Sequence, residues 1–445
     1  MALLSGCAAF KQYRIDYHPY VNTAPDVPNE GKALQEVRDS SPADPGYLLG
    51  TIEFDDQGQL WDPIQADAVI QQIDSDIVGH PDDALIVVFV HGWKHNAAPH
   101  DPNLVSFGEA LDRLSRTEAA LSRHQHRAKR KIVGVYMGWR GASITAPVLK
   151  ELTFWERKST AQKVGHGDLT AVLTQLDQIR LARDREAQES HTRSRTRLVI
   201  VGHSFGAEAV YSAVGQIMAQ RFVATEGPAT VGSDIEGFGN LVVLVNPAFE
   251  ASQYAPLSDL STARGTYFTS QLPLLAILTS EHDQATGTWF PIGRWFSTRF
   301  EKERVVPRLN PISHQTERID QRESNLRAVG HFELYRTHRL AAAAAVPAGT
   351  REQTAEASAK SVDTVSEQWE NDHPGSVIAF PGTELTRTDR SAGRDPYLVV
   401  SVDPALIPDH NYIWNDKVEE FIAQLVLVSS QSADLEERKQ ERKAE

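Results

Sequence analysis

Short, unbroken apolar runs separated by helix-like stretches constrain this chain more than any other feature. Ala84-Leu85-Ile86-Val87-Val88-Phe89-Val90 offers no polar position to either face of a pleat. A strand of that kind has to be covered on both sides, as in a parallel sheet. Residues 131–137, 197–201, 241–245, 272–278 and 397–402 read as further buried strands, and 47–54 as a first one. Residues 63–77, 104–121, 168–187 and 414–427 read as helices. Strands alternating with helices imply an α/β fold with a doubly wound, mostly parallel sheet.

The boundaries follow from where this alternation stops. Residues 1–45 carry many Pro, Asp and Asn and read as an extended arm. Residues 46–428 hold the strands and helices and are expected to form one large domain. Within it, 284–395 is a long insertion before the last strand. Its stretch at about 340–370, rich in Ala, Thr, Glu and Ser, is expected to be a flexible linker. Residues 429–445 form a charged tail. Gly165-His166-Gly167-Asp168 reads as a helix start with Asp168 as N-cap.

The formal net charge of −14 over 445 residues argues against a nucleic-acid partner, whose phosphates would be repelled. A single cysteine rules out an intramolecular disulfide. The sequence has no Cys pair, no H-E-x-x-H, no P-loop and no dinucleotide glycine pattern after a strand, so no metal and no cofactor is expected.

Gly202-His203-Ser204-Phe205-Gly206 lies between the strand at 197–201 and a helix-like run from Ala207. Strand, tight turn and helix form the context of a G-x-S-x-G nucleophile elbow, which exposes a serine Oγ at the strand's end. A serine hydroxyl is a poor nucleophile at neutral pH and needs a general base, which in turn needs an orienting carboxylate.

With this elbow, the His91-Gly92 turn after an earlier strand, and acid and histidine candidates after later strands, residues 47–428 resemble the α/β-hydrolase superfamily. The resemblance implies a serine hydrolase of the esterase or lipase kind, with its triad in the chain order Ser, acid, His. Asp283, in the polar turn Thr279-Ser280-Glu281-His282-Asp283, is the expected acid, with Glu281 and Glu250 as rivals. His410, after the last strand, is the expected base, with His331 and His338 as rivals. The oxyanion donors implied by the resemblance are the backbone N–H groups of Phe205 and of Trp93, with Gly92 second. His91, Gly92, His203, Trp139 and Trp289 are candidates for the substrate pocket, although Trp139 and the aromatic cluster from Trp289 read equally as packing. The expected substrate is a small-molecule or lipid-like carboxylic ester. Acyl transfer to another acceptor and amide cleavage share the same acyl-enzyme and stay open, as does a non-catalytic binding role.

Leu4-Ser5-Gly6-Cys7 resembles a bacterial lipoprotein processing box, whose cysteine is lipidated. That implies attachment to a cell-envelope membrane through Cys7, with a cytoplasmic location as the alternative. A start codon further upstream would supply the basic and apolar segments such a box requires.

Overall fold

A computed structural model describes residues 11–23, 31–38, 46–141, 150–226, 233–291, 302–343 and 349–430, without the side chains of 150–155, 226 and 289. Cys7 and the charged tail beyond Ser430 lie outside the described residues. The chain divides into two compact units. One comprises Met1–Ala213 with Thr350–Ala359, the other Val214–Gly349 with Lys360–Glu445.

The first unit contains β1 (Tyr20–Asn22), β2 (Leu34–Val37), β3 (Tyr47–Glu53), α1 (Pro63–Ile77), β4 (Ala84–Val90), α2 (Pro102–His124), β5 (Lys131–Gly138), α3 (Lys150–Val164), α4 (Thr170–Glu189), β6 (Arg197–His203) and the start of α5 (Phe205–Glu226). Its strands run in the order β1-β2-β3-β5-β4-β6. All neighbours are parallel except β2 and β3. Two glycines show how the sheet is covered. A Cβ on Gly50 would strike Val69 of α1, and one on Gly134 would strike Leu111 of α2. Leu49 pairs with Gly134 and Gly50 with Val135, so the two glycines face opposite sides of the pleat. Helices α1 and α2 therefore lie on opposite faces, which makes this sheet doubly wound. Both helices begin with an aspartate cap and a proline at the first turn: Asp62 with Pro63, Asp101 with Pro102.

β4 has β5 on one side and β6 on the other. The chain reverses direction across the sheet there, and the carboxyl ends of β4 and β6 flank the crevice where such sheets place their ligands.

The second unit contains β7 (Leu241–Val245), α6 (Ala251–Arg264), β8 (Leu275–Ser280), β9 (Val305–Asn310), β10 (Gln315–Asp320), α7 (Gln321–Leu326), β11 (His338–Ala342), β12 (Val377–Phe380), β13 (Thr383–Arg387), β14 (Tyr397–Val402) and α9 (Asp416–Ser429); α8 (Arg351–Glu370) completes the helices. β7, β8, β14 and β11 are parallel neighbours, and β13 and β12 continue the sheet antiparallel. β9 and β10 form a separate antiparallel hairpin. Ser280 pairs with Val402, so β8 and β14 end side by side and deliver their following turns to one place.

Several expectations change. The arm at 1–45 is not simply extended where it is described: β2 pairs with β3, and Tyr13 and Arg14 donate backbone N–H groups to the buried Glu53 carboxylate. The insertion at 284–395 is partly built into the sheet, as β11, β12 and β13. The linker expected at about 340–370 is corrected to the end of β11 and helix α8. Ala355, Ala359, Val362, Val365 and Trp369 are all buried, and their three- and four-residue spacing is an apolar helix stripe made largely of small residues. Asp168 is not a helix N-cap either. It sits in a π-helical turn (Gly165–Leu169), where its Oδ2 accepts the N–H of Leu60 at 2.7 Å. The strand expected at 272–278 starts at Leu275, beyond Pro273, which has no N–H for a ladder.

Candidate active site

In the first unit the elbow has the form its sequence predicts. β6 is buried along its whole length and α5 begins one residue after Ser204. The Ser204 carbonyl accepts the N–H of Glu208 at 3.2 Å, closing the first turn of α5. A residue in that place is ordinarily extended, yet Ser204 has φ 55°, in the left-handed region. Holding a non-glycine residue there costs on the order of 1–3 kcal/mol, which the surrounding packing must sustain. Gly202 and Gly206 make the turn sterically possible. A Cβ on Gly202 would lie 2.7 Å from Ala207 Cα, and one on Gly206 only 2.1 Å from the Val90 carbonyl oxygen.

The same unit brings the His91-Gly92 turn against the elbow. A Cβ on Gly92 would be 2.9 Å from Ser204 Cβ and 2.8 Å from His203 Nδ1, so only glycine fits. His91 is fully buried and stacks on Trp139 with ring centroids 5.6 Å apart. The Trp139 backbone N–H donates to His91 Nε2 at 3.0 Å, which makes Nε2 the acceptor and puts the ring proton on Nδ1, facing the Gly92 carbonyl at 2.9 Å. Burial pushes the His91 pKa down to about 4, against the pull of nearby Asp101. The Trp139 indole N–H donates to the His91 carbonyl at 2.9 Å. His91 and the buried Trp139 thus brace the turn that carries Gly92 and Trp93. One turn beyond Ser204, the buried Glu208 accepts from Lys158 at 3.2 Å and Gln162 at 2.7 Å.

In the second unit Asp283 and His410 meet. His410 Nδ1 lies 2.8 Å from Asp283 Oδ2, and both residues are buried. Asp283 also accepts the backbone N–H groups of Ala285 at 3.0 Å and Thr286 at 3.2 Å, and the Thr286 hydroxyl donates to Oδ2. Burial pushes the Asp283 pKa up. The charge of His410 and the hydrogen bonds from His410 and Thr286 outweigh that, and the net pKa is lowered. An ionised carboxylate only accepts hydrogen bonds, so His410 Nδ1 is the donor and the basic lone pair of the neutral ring falls on Nε2.

The rival acids and bases lie elsewhere. Glu281 accepts from Ser401 Oγ at 2.8 Å and Glu250 from Gln253 at 2.5 Å. His338 is buried within β11 with Nδ1 at 2.7 Å from Thr337 Oγ1. His331 Nε2 lies 2.9 Å from Thr286 Oγ1 and so reaches Asp283 only through that hydroxyl. Trp289 ends a short helical turn (Ala285–Trp289), and its side chain lies outside the described residues, as does the rest of its aromatic cluster from Ile292 onward.

Two contributors were not apparent in the sequence. Asn246, at φ 45° after β7, donates from Nδ2 to the His410 carbonyl at 3.1 Å and accepts the Ser280 N–H at 3.0 Å. Asparagine at a strand end is the signal, because it tolerates the left-handed region better than most residues; the proline that follows it favours extended backbone and masks that signal. Thr286 carries no more signal than its place three residues after Asp283. Among the described residues, no group of three or more His, Cys, Asp or Glu side chains is placed to hold a metal ion. No helix among them is long and apolar enough to cross a membrane.

No family model matches this chain. No curated protein matches it either. Among solved structures, Trichoderma reesei cutinase in complex with a C11Y4 phosphonate inhibitor aligns with 42% of this chain and 65% of the cutinase chain, at 13% sequence identity and a TM-score of 0.17. The aligned part thus spans less than two thirds of that structure, and a likeness at this level bears on neither activity nor substrate.

Proposed function

We propose that this protein is a serine hydrolase with an α/β-hydrolase-like scaffold, cleaving carboxylic esters through an acyl-enzyme on Ser204. The observation that carries the reading is the buried bond from His410 Nδ1 to Asp283 Oδ2 at 2.8 Å. It fixes the imidazole tautomer that a serine nucleophile requires of its base, and it provides a fixed negative charge for the imidazolium that forms. The strained elbow at Ser204 supports the same reading, since backbone strain at a buried polar residue is characteristic of functional sites.

In this reading Ser204 Oγ attacks the acyl carbon, and His410 Nε2 takes its proton and passes it to the leaving alkoxide. Asp283 stays ionised throughout and stabilises the imidazolium. The Phe205 N–H at the start of α5 and the Trp93 N–H are the proposed donors to the tetrahedral oxyanion. Water, with His410 again as base, then releases the carboxylic acid and restores Ser204. The substrate is a small-molecule or lipid-like ester, and no step requires a cofactor.

An alkylphosphonate probe followed by mass spectrometry tests the proposal. The expected result is one covalent adduct on Ser204, its loss in Ser204→Ala, and hydrolysis of short p-nitrophenyl esters by the unmodified protein only. Folded protein that forms no Ser204 adduct and hydrolyses none of these esters overturns it.

A further inference from the structure

The Asp283–His410 pair is the inner half of a longer hydrogen-bond chain within the second unit. Asp283 is ionised and accepts only, so the Thr286 hydroxyl spends its single proton on Asp283 Oδ2. The 2.9 Å contact between Thr286 Oγ1 and His331 Nε2 then has to be a bond donated by the histidine. The chain reads His331 Nε2–H to Thr286 Oγ1–H to Asp283 Oδ2, with His410 Nδ1–H arriving on the same carboxylate oxygen.

The outer members stand on fixed supports. His331 closes a 3-10 turn (Val329–His331) whose Val329 N–H donates to the Phe249 carbonyl at 3.0 Å. Gly330 of that turn lies so close to β8 that a Cβ would overlap Thr279 Oγ1. The Arg336 Nε–H ties down the Gly330 carbonyl at 2.9 Å. Opposite the ring, a Cβ on Gly287 would be 3.3 Å from His331 Cε1.

We propose that Thr286 and His331 are positioning residues that hold the Asp283 carboxylate in register with His410, His331 acting through the Thr286 hydroxyl. The inference rests on the reading of Asp283 and His410 as acid and base. It assigns unlike roles to the two imidazoles. His410 touches the carboxylate directly and takes the catalytic proton, while His331 stays neutral and keeps the hydroxyl aimed. The charges around His331 agree with this. Burial lowers its pKa to about 4; Asp283 pulls it up, and Arg336, Arg327 and His410 push it down.

The test combines kinetics with ¹⁵N NMR of the histidine rings in the full chain. Wild-type protein is expected to show His331 as the neutral Nε2–H tautomer from pH 5 to 8. Thr286→Val is expected to lower kcat about tenfold with KM within about twofold, the loss of one hydrogen bond to a charged group. It is also expected to move the His410 Nδ1–H resonance, because a carboxylate short of one donor binds the remaining one more tightly. His331→Ala should follow Thr286→Val, and His331→Gln, whose amide Nε2–H replaces the ring donor, should restore both kcat and the His410 Nδ1–H resonance. The Nδ1–H tautomer at His331 overturns the proposal. So does a Thr286→Val or His331→Ala protein that loses only thermal stability while the His410 Nδ1–H resonance and kcat stay as in wild type. If Thr286→Val does not fold, the wild-type tautomer and the His331 variants decide. The NMR readouts need no turnover: a protein inactive on esters but with these ring states contradicts the hydrolase reading and leaves the chain intact.

Discussion

His410 donates through Nδ1 to Asp283 Oδ2 across 2.8 Å, and the carboxylate is at the same time saturated by Ala285 and Thr286. This relationship makes Asp283→Asn an informative substitution. The amide oxygen can still accept the two backbone N–H groups, so the turn stays folded. The amide nitrogen then faces His410 Nδ1, which must present its lone pair and move its proton to Nε2. On the proposed mechanism the base then loses the position from which it acts. We expect kcat on a p-nitrophenyl ester to fall on the order of 10³–10⁴-fold with a much smaller change in KM. Steady-state kinetics with circular dichroism as the folding control measures this; a loss under tenfold would contradict the assigned role of Asp283.

Three histidines, His91 and His338 buried and His331 half-buried, make stability sensitive to mild acid. His91 and His331 are lowered to about 4 and His338 well below its ordinary value, all three chiefly by burial. In the unfolded chain each titrates near 6.5. Between roughly pH 6.5 and 4 the unfolded state therefore binds protons that the folded state refuses, and stability falls as pH falls. The contribution is complete above about pH 6.5 and, for His91 and His331, exhausted below about 4. His91 alone accounts for about 3 kcal/mol at most. Asp283, with its pKa lowered in the folded state, adds a loss only at more acidic pH. Urea unfolding at pH 7.5, 6 and 5 should show a steady decline in stability, and His91→Gln should flatten the slope by one histidine's share. A pH-independent unfolding free energy over this range would show that these rings take up protons as readily in the fold as in the unfolded chain.

Much of the scaffold around the site is legible in the sequence. The bounds of β4, β7 and β14 coincide with the apolar runs at 84–90, 241–245 and 397–402, because a strand buried on both faces tolerates no polar residue until its end. Ser204, Asp283 and His410 are legible for the related reason that polar turns after such strands stand out. The strands β11–β13 at the end of the sheet are not, since their alternating exposure mixes Thr, Glu and Arg with the apolar positions. Helix α8 hides its core stripe in alanines, which read as low complexity until the helix forms. The part His331 plays cannot be read at all, because its bond to Thr286 joins residues 45 apart in sequence with no periodicity to announce it.

The elbow should tolerate no side chain at its second glycine. In Gly206→Ala the new Cβ would stand 2.1 Å from the Val90 oxygen and 2.4 Å from the His91 oxygen, both backbone atoms that cannot swing away. The start of α5 must then separate from the end of β4, at a cost of about 3 kcal/mol, and the Ser204 turn moves with it. Gly79→Ala is the control. Gly79 has φ 76° but no atom within 4 Å of its notional Cβ, so only the strain of the left-handed region is felt, about 1 kcal/mol. Thermal unfolding of the two variants should differ accordingly, with phosphonate labelling of Ser204 lost only in Gly206→Ala. Equal melting temperatures would mean that the close approach of α5 to β4 is not required.

Asn246 ties the loop that carries His410 to the end of the sheet, and its removal should be felt in both stability and rate. Its amide nitrogen serves the His410 carbonyl and its amide oxygen the Ser280 N–H, both buried. Asn246→Ala leaves those two groups without partners, at about 1–3 kcal/mol each, and places alanine at a positive φ that asparagine tolerates better. Asn246→Gly loses the same two bonds without the backbone strain, so it should be the more stable of the two by about 1 kcal/mol. Both variants free the His410 loop and should lower kcat about tenfold or more. The difference between them isolates backbone strain from hydrogen bonding. Amide hydrogen exchange at residues 404–412 reads the loop directly: protection there should drop in both variants while β7 and β8 keep theirs. Wild-type protection of that loop in Asn246→Ala would show that the Ser280 Oγ bond to the Ile407 carbonyl, 2.5 Å long, holds it unaided.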